Sequence, residues 1–228
     1  MKNIFIVRHG QSEANANERG LLSKEEKYVI DSNFGLTVIG KKQAFATGIT
    51  IASKIDTIFP SEYNIYVSPY LRTRETATWL KRALINIGYT CAKNIEDPRL
   101  VEQDFGDFDF QYMSRWKEIS PHSYEINQAK YHDPVGRFFA RLENGEHLLD
   151  VYNRVSLFVA TRLEKELNEK NVENHIIVTH GNTMRILRMY LLDMEVESFN
   201  DMQPPQNAGV YHIGYDKKTN KYCFLGEY

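Results

Sequence analysis

Two dipeptides, His9-Gly10 and His180-Gly181, each follow a short β-branched hydrophobic run, Ile4-Phe5-Ile6-Val7 and Ile176-Ile177-Val178. Both runs read as buried parallel strands that end in a histidine and then a chain-turning glycine. In an open α/β sheet the carboxyl ends of the strands face the ligand crevice. The pattern therefore predicts that two imidazoles about 170 residues apart in sequence meet in one pocket. Arg8 stands directly beside the first of them. A neutral imidazole can attack phosphorus, and a guanidinium is a forked, permanently charged donor suited to phosphate oxygens. Gly10 lets the backbone come close to an oxyanion, and Ser12 and Asn15 can add neutral hydrogen bonds. The chemistry expected is chemistry on an anion.

A second cationic element lies in Ser68-Pro69-Tyr70-Leu71-Arg72-Thr73-Arg74-Glu75-Thr76. Serine as N-cap and proline at the first helical position predict a helix starting there, with Arg72 in its first turn. A helix N-terminus favours anions through its unpaired N–H groups and its dipole. Arg74 reads instead as a solvated helix position. A proton donor for a leaving alkoxide is offered by Arg99-Leu100-Val101-Glu102-Gln103-Asp104-Phe105-Gly106, where a carboxyl group at the mouth of an aromatic-rich stretch could act. Glu102 stands there with Asp104, Asp107 and Asp109, and residue chemistry alone does not choose among the four.

Those groups need a scaffold. Thr37 reads as the N-cap of a helix carrying Phe45, Gly48, Ala52 and Ile55 at helical spacing. Tyr63 to Val67 reads as a strand, and Ala77, Leu80, Leu84 and Ile87 mark the helix after it, ended by Gly88. From Asp97 to Asn144 the strand–helix alternation is lost, and aromatics mix with acids, arginines and two prolines. This reads as an inserted cap at about 103–147 rather than a second domain. The polar stretch from Gln11 to Asn33 reads as a lid or short helix. A helix from Leu148 to about Leu167, the strand ending at Thr179, a helix with Ile186, Leu187, Tyr190 and Leu191, and a hairpin of 210–215 with 222–225 complete the pattern. Arg185 and Arg188 read as facing solvent rather than substrate, with Arg185 near enough to His180 to leave substrate contact open. The expected fold is α/β, a three-layer sandwich with a mostly parallel central sheet flanked by helices, forming a single domain over 1–228.

The 228 residues carry 42% hydrophobic and 25% charged side chains and a formal charge of −2. No broad basic field is present for nucleic acid, so any anion site is local. Cys91 and Cys223 are too few and too isolated for a disulfide framework or zinc cluster, and read as reduced thiols. No familiar metal-ligand spacing occurs, so neither metal nor cofactor is expected. Without a signal-peptide pattern or an apolar run of about 20 residues, a cytoplasmic protein with no membrane partner is expected.

Taken in order, Arg8-His9-Gly10-x-Ser12-x-x-Asn15, Leu36-Thr37-x-x-Gly40-x-x-Gln43-Ala44, Ser68-Pro69-x-x-Arg72-x-x-x-Thr76 and His180-Gly181 resemble the histidine phosphatase superfamily, the phosphoglycerate mutase-like proteins, over nearly the whole chain. The resemblance implies that His9 takes the phosphoryl group as a phosphohistidine. It implies that Arg8, Arg72 and His180 bind the phosphoryl oxygens, and that Asn15 and the backbone around Gly10 and Gly181 complete the anion pocket. Glu102 would give a proton to the leaving oxygen. True mutases of the family carry an Asn-x-Phe-x-Gly-Trp stretch after the first motif and a Glu-Arg-His-Tyr-Gly context for their acid. This chain has Asn17-Glu18-Arg19-Gly20-Leu21-Leu22 and Glu102-Gln103-Asp104-Phe105-Gly106. Both departures imply a hydrolase, with the cofactor-dependent mutase as the alternative and a non-catalytic phospho-ligand binder behind it. Residues 98–106, 136–141 and 144–146 are similar to a phosphatase-like branch found in plants, fungi and microbes, although His147 stands where a serine usually follows Gly145-Glu146. Gln11, Tyr112, Arg115, Arg137, Arg141 and His147 are the candidate substrate contacts. The expected partner is a small phosphorylated metabolite, with a phosphoprotein as the second class; the oligomeric state is not legible.

Overall fold

A computed structural model describes residues 1–16, 31–55, 62–106, 117–118, 120–122, 124–125, 136–168 and 172–228. Tyr112, Arg115, most of the polar stretch after Asn15 and much of the expected cap lie outside these residues. The centre is a mixed six-stranded sheet of order β3-β2-β4-β1-β5-β6. Its strands are β1 (Lys2–Arg8), β2 (Glu62–Val67), β3 (Thr90–Glu96), β4 (Asn174–Thr179), β5 (Val210–Asp216) and β6 (Lys221–Glu227). β3, β2, β4 and β1 run parallel, β5 is antiparallel to β1, and β6 pairs antiparallel with β5 as the expected hairpin.

Alternation along the strands builds a core on each face. Ile4, Ile6, Ile177 and Ile213 pack with α3 (Leu148–Phe158) and α4 (Gly181–Leu191), whereas Phe5, Val7, Ile65, Ile176 and Val178 pack with α1 (Val38–Lys54) and α2 (Leu71–Asn86). α3 continues through a π-helical turn, Val159–Leu163, into Glu164–Asn168, which keeps Val155, Val159 and Leu163 on its buried face. As expected, Thr37 caps α1, its Oγ1 accepting from Gly40 N at 3.0 Å. No helix among the described residues is long and apolar enough to cross a membrane.

One strand went unread and two expectations are corrected. β3 was not legible, because Thr-Cys-Ala-Lys-Asn-Ile-Glu is a largely exposed edge strand with no apolar run. α2 starts at Leu71 rather than at Pro69, since Tyr70 stays extended (φ −68°, ψ 143°) and Ser68 is held by other bonds. Arg185 is buried, not solvent-facing. Its guanidinium stacks 4.0 Å over the Phe199 ring and donates to Met202 O and Asn182 Oδ1, which satisfies its charge inside the protein.

Candidate active site

Strand register brings the histidines together. β1 and β4 are hydrogen-bonded neighbours with Arg8 opposite Thr179, so the next residue on each chain is a histidine. His9 N donates to Thr179 O at 2.9 Å, and the ring centroids of His9 and His180 lie 5.2 Å apart, close to the spacing of adjacent strands. On the other side of β4, Val67 is opposite Val178, and Ser68 N donates to Val178 O at 3.0 Å. Ser68 Oγ consequently sits 2.8 Å from His180 Nε2. The serine that reads as a helix cap is therefore an imidazole partner.

Tautomers follow from the bonds. His9 Nδ1 is 2.8 Å from Gly10 O; a carbonyl can only accept, so Nδ1 carries the proton and Nε2 keeps a lone pair. The Gly10 turn is fixed by Gly10 N donating to Thr76 Oγ1 at 3.0 Å and by backbone contact with α1, where a Cβ on Gly10 would meet Gly40 O at 2.5 Å. The Ser68 hydroxyl can donate to His180 Nε2, and in that tautomer the proton of His180 sits on Nδ1, a buried atom with no hydrogen-bond partner among the described residues. Arg8 Nη1 donates to Pro205 O at 2.6 Å while its Nε is also buried and unpartnered. Buried polar nitrogens are nearly always paired, and Arg8 Nε and His180 Nδ1 are two without a partner close to the His9 ring, where an acceptor would satisfy them.

Electrostatics agree. Burial, then the Arg72 charge, then the Arg8 charge hold His9 well below the usual imidazole range, so the ring is neutral near pH 7. His180 is lowered by burial and by Arg72 in the same way. Burial also lowers Arg8, opposed by the nearby Glu102 carboxylate. Gly181 lies between these two groups: a Cβ there would be 3.7 Å from both Arg8 Nε and Glu102 Oε2. Glu102 is anchored by α4, accepting from Asn182 N and Thr183 N at 3.2 Å each, and from Gln103 N at 3.0 Å. Behind it, Arg154 donates to the carbonyls of Arg99, Val101 and Glu102 and pairs with Glu146, fixing the backbone that carries the acid.

A third buried histidine, His175, is pushed down to about 4, chiefly by burial and then by Lys2. Above pH about 6.5 it is neutral in both the folded and unfolded chain, and its environment costs nothing. Below that, only the unfolded chain takes up the proton. Stability is thus expected to fall between pH about 6.5 and 4, by roughly 3 kcal/mol from this residue alone, with His9 and His180 adding in the same direction. Urea unfolding at pH 7.5 and 5.0 measures this; a midpoint that is unchanged or higher at pH 5.0 contradicts it.

The remaining candidates are held as follows. Asn15 is exposed, its Oδ1 accepting from Ser12 N and from Asn207 Nδ2, and Asn207 links it at 3.4 Å to His9 O. Gln11 Oε1 accepts from Thr37 Oγ1. His147 is the N-cap of α3, its Nδ1 accepting from Asp150 N at 3.0 Å, which explains how it replaces a serine at that turn. Arg141 binds Gly145 O and the Asp150 carboxylate, and Arg137 lies 5.1 Å from the centre of the Phe199 ring. Arg74 is exposed and pairs with Glu96. A cavity of about 450 Å³ lined by Gln43, Thr47, Asn207 and Tyr228 among others holds neither His9 nor His180. Sequence reasoning missed Ser68 in its real role, together with Asp31, Arg154, Asn182 and Thr183.

The family model of the histidine phosphatase superfamily (branch 1) matches residues 4–226. The chain is 30% identical over 223 residues to the phosphoglycerate mutase-like protein AT74 of Arabidopsis thaliana, covering 92% of this chain and 63% of the relative. It thus spans just under two thirds of the length of that relative, and 64% of the related Arabidopsis protein AT74H. It is 26% identical to the 2,3-bisphosphoglycerate-dependent phosphoglycerate mutase of Buchnera aphidicola, over 98% of this chain and 99% of the mutase. In fold it is like a mycobacterial glucosyl-3-phosphoglycerate phosphatase solved with VO3, with TM-score 0.71, 19% identity, and coverage of 99% and 98% of the two chains. On the match across residues 4–226, the chain belongs to the histidine phosphatase superfamily, branch 1.

Proposed function

We propose that this chain is a metal-independent phosphomonoester hydrolase that works through a phosphohistidine on His9. One observation carries the reading: a neutral His9 with a free Nε2 stands beside two buried side-chain nitrogens without a partner, Arg8 Nε and His180 Nδ1. In the first step Nε2 attacks phosphorus, the N–P bond forms, the ester P–O bond breaks, and Glu102 gives its proton to the leaving oxygen. Arg8, Arg72 and His180 hold the equatorial oxygens, a positioning and electrostatic task. In the second step water attacks phosphorus, Glu102 takes the water's proton, the N–P bond breaks, and inorganic phosphate leaves. Under this reading residues 1–228 act as one domain with a cap at about 103–147, and the substrate is a small phosphorylated metabolite.

The mutase reading is favoured by one observation, the similarity to the Buchnera mutase along nearly all of both chains. The two readings part at the phosphoenzyme: a hydrolase passes the group to water, a mutase returns it to the substrate. With EDTA present, the protein is expected to release inorganic phosphate from an aryl phosphate and from members of a metabolite panel. In a coupled assay with phosphoglycerate and 2,3-bisphosphoglycerate, phosphate release is expected to exceed isomerisation. Isomerisation with little phosphate release would establish the mutase instead.

A further inference from the structure

Arg72 is not a free cation. Its side chain is 7% exposed, and its fork is gripped by Asp31: Nη1 to Oδ1 and Nη2 to Oδ2 at 2.8 Å each, with Nη1 also donating to Asp31 O at 2.8 Å. A guanidinium has five N–H groups in one plane. Three go to Asp31, which leaves Nε–H and one Nη2–H. These two are parallel and form the second, side-on fork of the group, the shape that meets two oxygens of one phosphoryl group. The Tyr70 ring, 4.8 Å from the guanidinium carbon, packs on the same group, and Tyr70 lies edge-to-face with His180 at 5.0 Å.

Asp31 is itself tied to the nucleophile loop. Its short 3₁₀ turn, Asp31–Asn33, leads into the buried residues Phe34 and Leu36. Leu36 forms a bridge with Ser12, Glu13 N donates to Gly35 O at 2.9 Å, and Leu36 N donates to Glu75 Oε2 on α2. The carboxylate thus reaches Arg72 from a segment fastened both to the loop after His9 and to the helix that carries Arg72.

We infer that Asp31 is a positioning residue, which fixes the rotation of the Arg72 guanidinium so that its Nε/Nη2 fork faces the oxyanion bound beside His9. The inference rests on the proposed role of Arg72 in binding the phosphoryl group, and it concerns binding before turnover. Asp31→Asn keeps the size of the side chain but puts a donor opposite Nη1 or Nη2, so the double grip is lost.

The test is calorimetric titration with inorganic phosphate and with orthovanadate, on wild type, Asp31→Asn, Arg72→Lys and the double variant. Asp31→Asn is expected to weaken binding about tenfold or more, whereas in the Arg72→Lys background the same change has no further effect. A role confined to stability would give equal losses in both backgrounds, and would overturn the inference. So would unchanged binding, or tighter binding, which would make the Asp31 carboxylate a competitor for the same N–H groups. Asp31→Ser is carried in parallel, so a fold defect peculiar to the amide does not decide the result. Wild-type protein that binds phosphate with this dependence on Asp31 but hydrolyses no ester sinks the hydrolase reading and leaves the inference standing. Wild-type protein that binds neither anion overturns both.

Discussion

Replacing His9 with alanine is expected to lower phosphomonoester hydrolysis by about 10⁴-fold or more, measured on an aryl phosphate with EDTA present. The magnitude follows from what the imidazole alone supplies. Nε2 is the lone pair released by the Nδ1–Gly10 bond, and the Arg72 and Arg8 charges together with burial keep that lone pair unprotonated. Under the proposed mechanism, Arg8, Arg72 and His180 still surround the oxyanion without it, but a water molecule must attack with no positioned nucleophile. His180→Ala keeps the nucleophile and removes one donor, so a smaller loss of about 10²–10³-fold is expected. Inorganic phosphate should still bind His9→Ala with affinity close to wild type, because the donors are retained. Rapid acid or base quench of wild type with ³²P-labelled substrate is expected to trap label that survives base and is lost in acid, and His9→Ala should trap none. A variant that keeps a tenth of the activity, or labelling that persists without His9, removes this imidazole from the reaction.

How much of this was legible in the sequence depends on how local each signal is. The two histidines could be placed in one pocket because both follow β-branched runs, and the register of β1 against β4 puts them one residue past Arg8 and Thr179. Periodicity carried α1, the long helix from Leu148, and the closing hairpin. β3 escaped because an edge strand is not obliged to be apolar; Cys91 and Ile95 within it, and Tyr89 just before it, pack on the core, too sparse a pattern to read as an apolar run. Ser68 was misread for a related reason. Ser-Pro before a helical pattern is a strong local cap signal, whereas the bond to His180 Nε2 spans 112 positions and leaves no mark on local spacing.

Charged residues that support the site were the hardest to read. Burial of an arginine is costly unless it is paired, so Arg185 reads as exposed. It is buried because Phe199, Met202 O and Asn182 meet it from distant parts of the chain. Arg154 looks like an ordinary helix position, yet it clamps three carbonyls of residues 99–102. Asp31 sits at the end of a polar stretch with no periodicity and closes on Arg72 across 41 positions. The residues proposed to do chemistry announce themselves by type and by their place at strand ends, but those that hold them in place are ordinary residues made specific by the fold.

Glu102→Gln tests the proton-transfer assignment with the second largest effect, because the two steps respond differently. Glutamine cannot protonate a leaving oxygen, so hydrolysis of an alkyl phosphate, whose leaving group needs that proton, is expected to fall by about 10²–10⁴-fold. A nitrophenyl phosphate leaves without such help, so its first step should be little changed. Its second step still needs a base for the attacking water. The variant should therefore give a burst of nitrophenolate equal to the enzyme present, followed by slow turnover as phosphohistidine accumulates. The substitution costs some anchoring as well: an amide nitrogen cannot accept from Asn182 N or Thr183 N, though Arg154 still holds the backbone at position 102. Loss of anchoring alone would slow both substrates alike and give no burst. Asp104, whose carboxylate accepts from Gly106 N, provides the contrast, since Asp104→Asn should leave the leaving-group dependence unchanged. A burst in Asp104→Asn and none in Glu102→Gln would move the proton donor two residues along the chain.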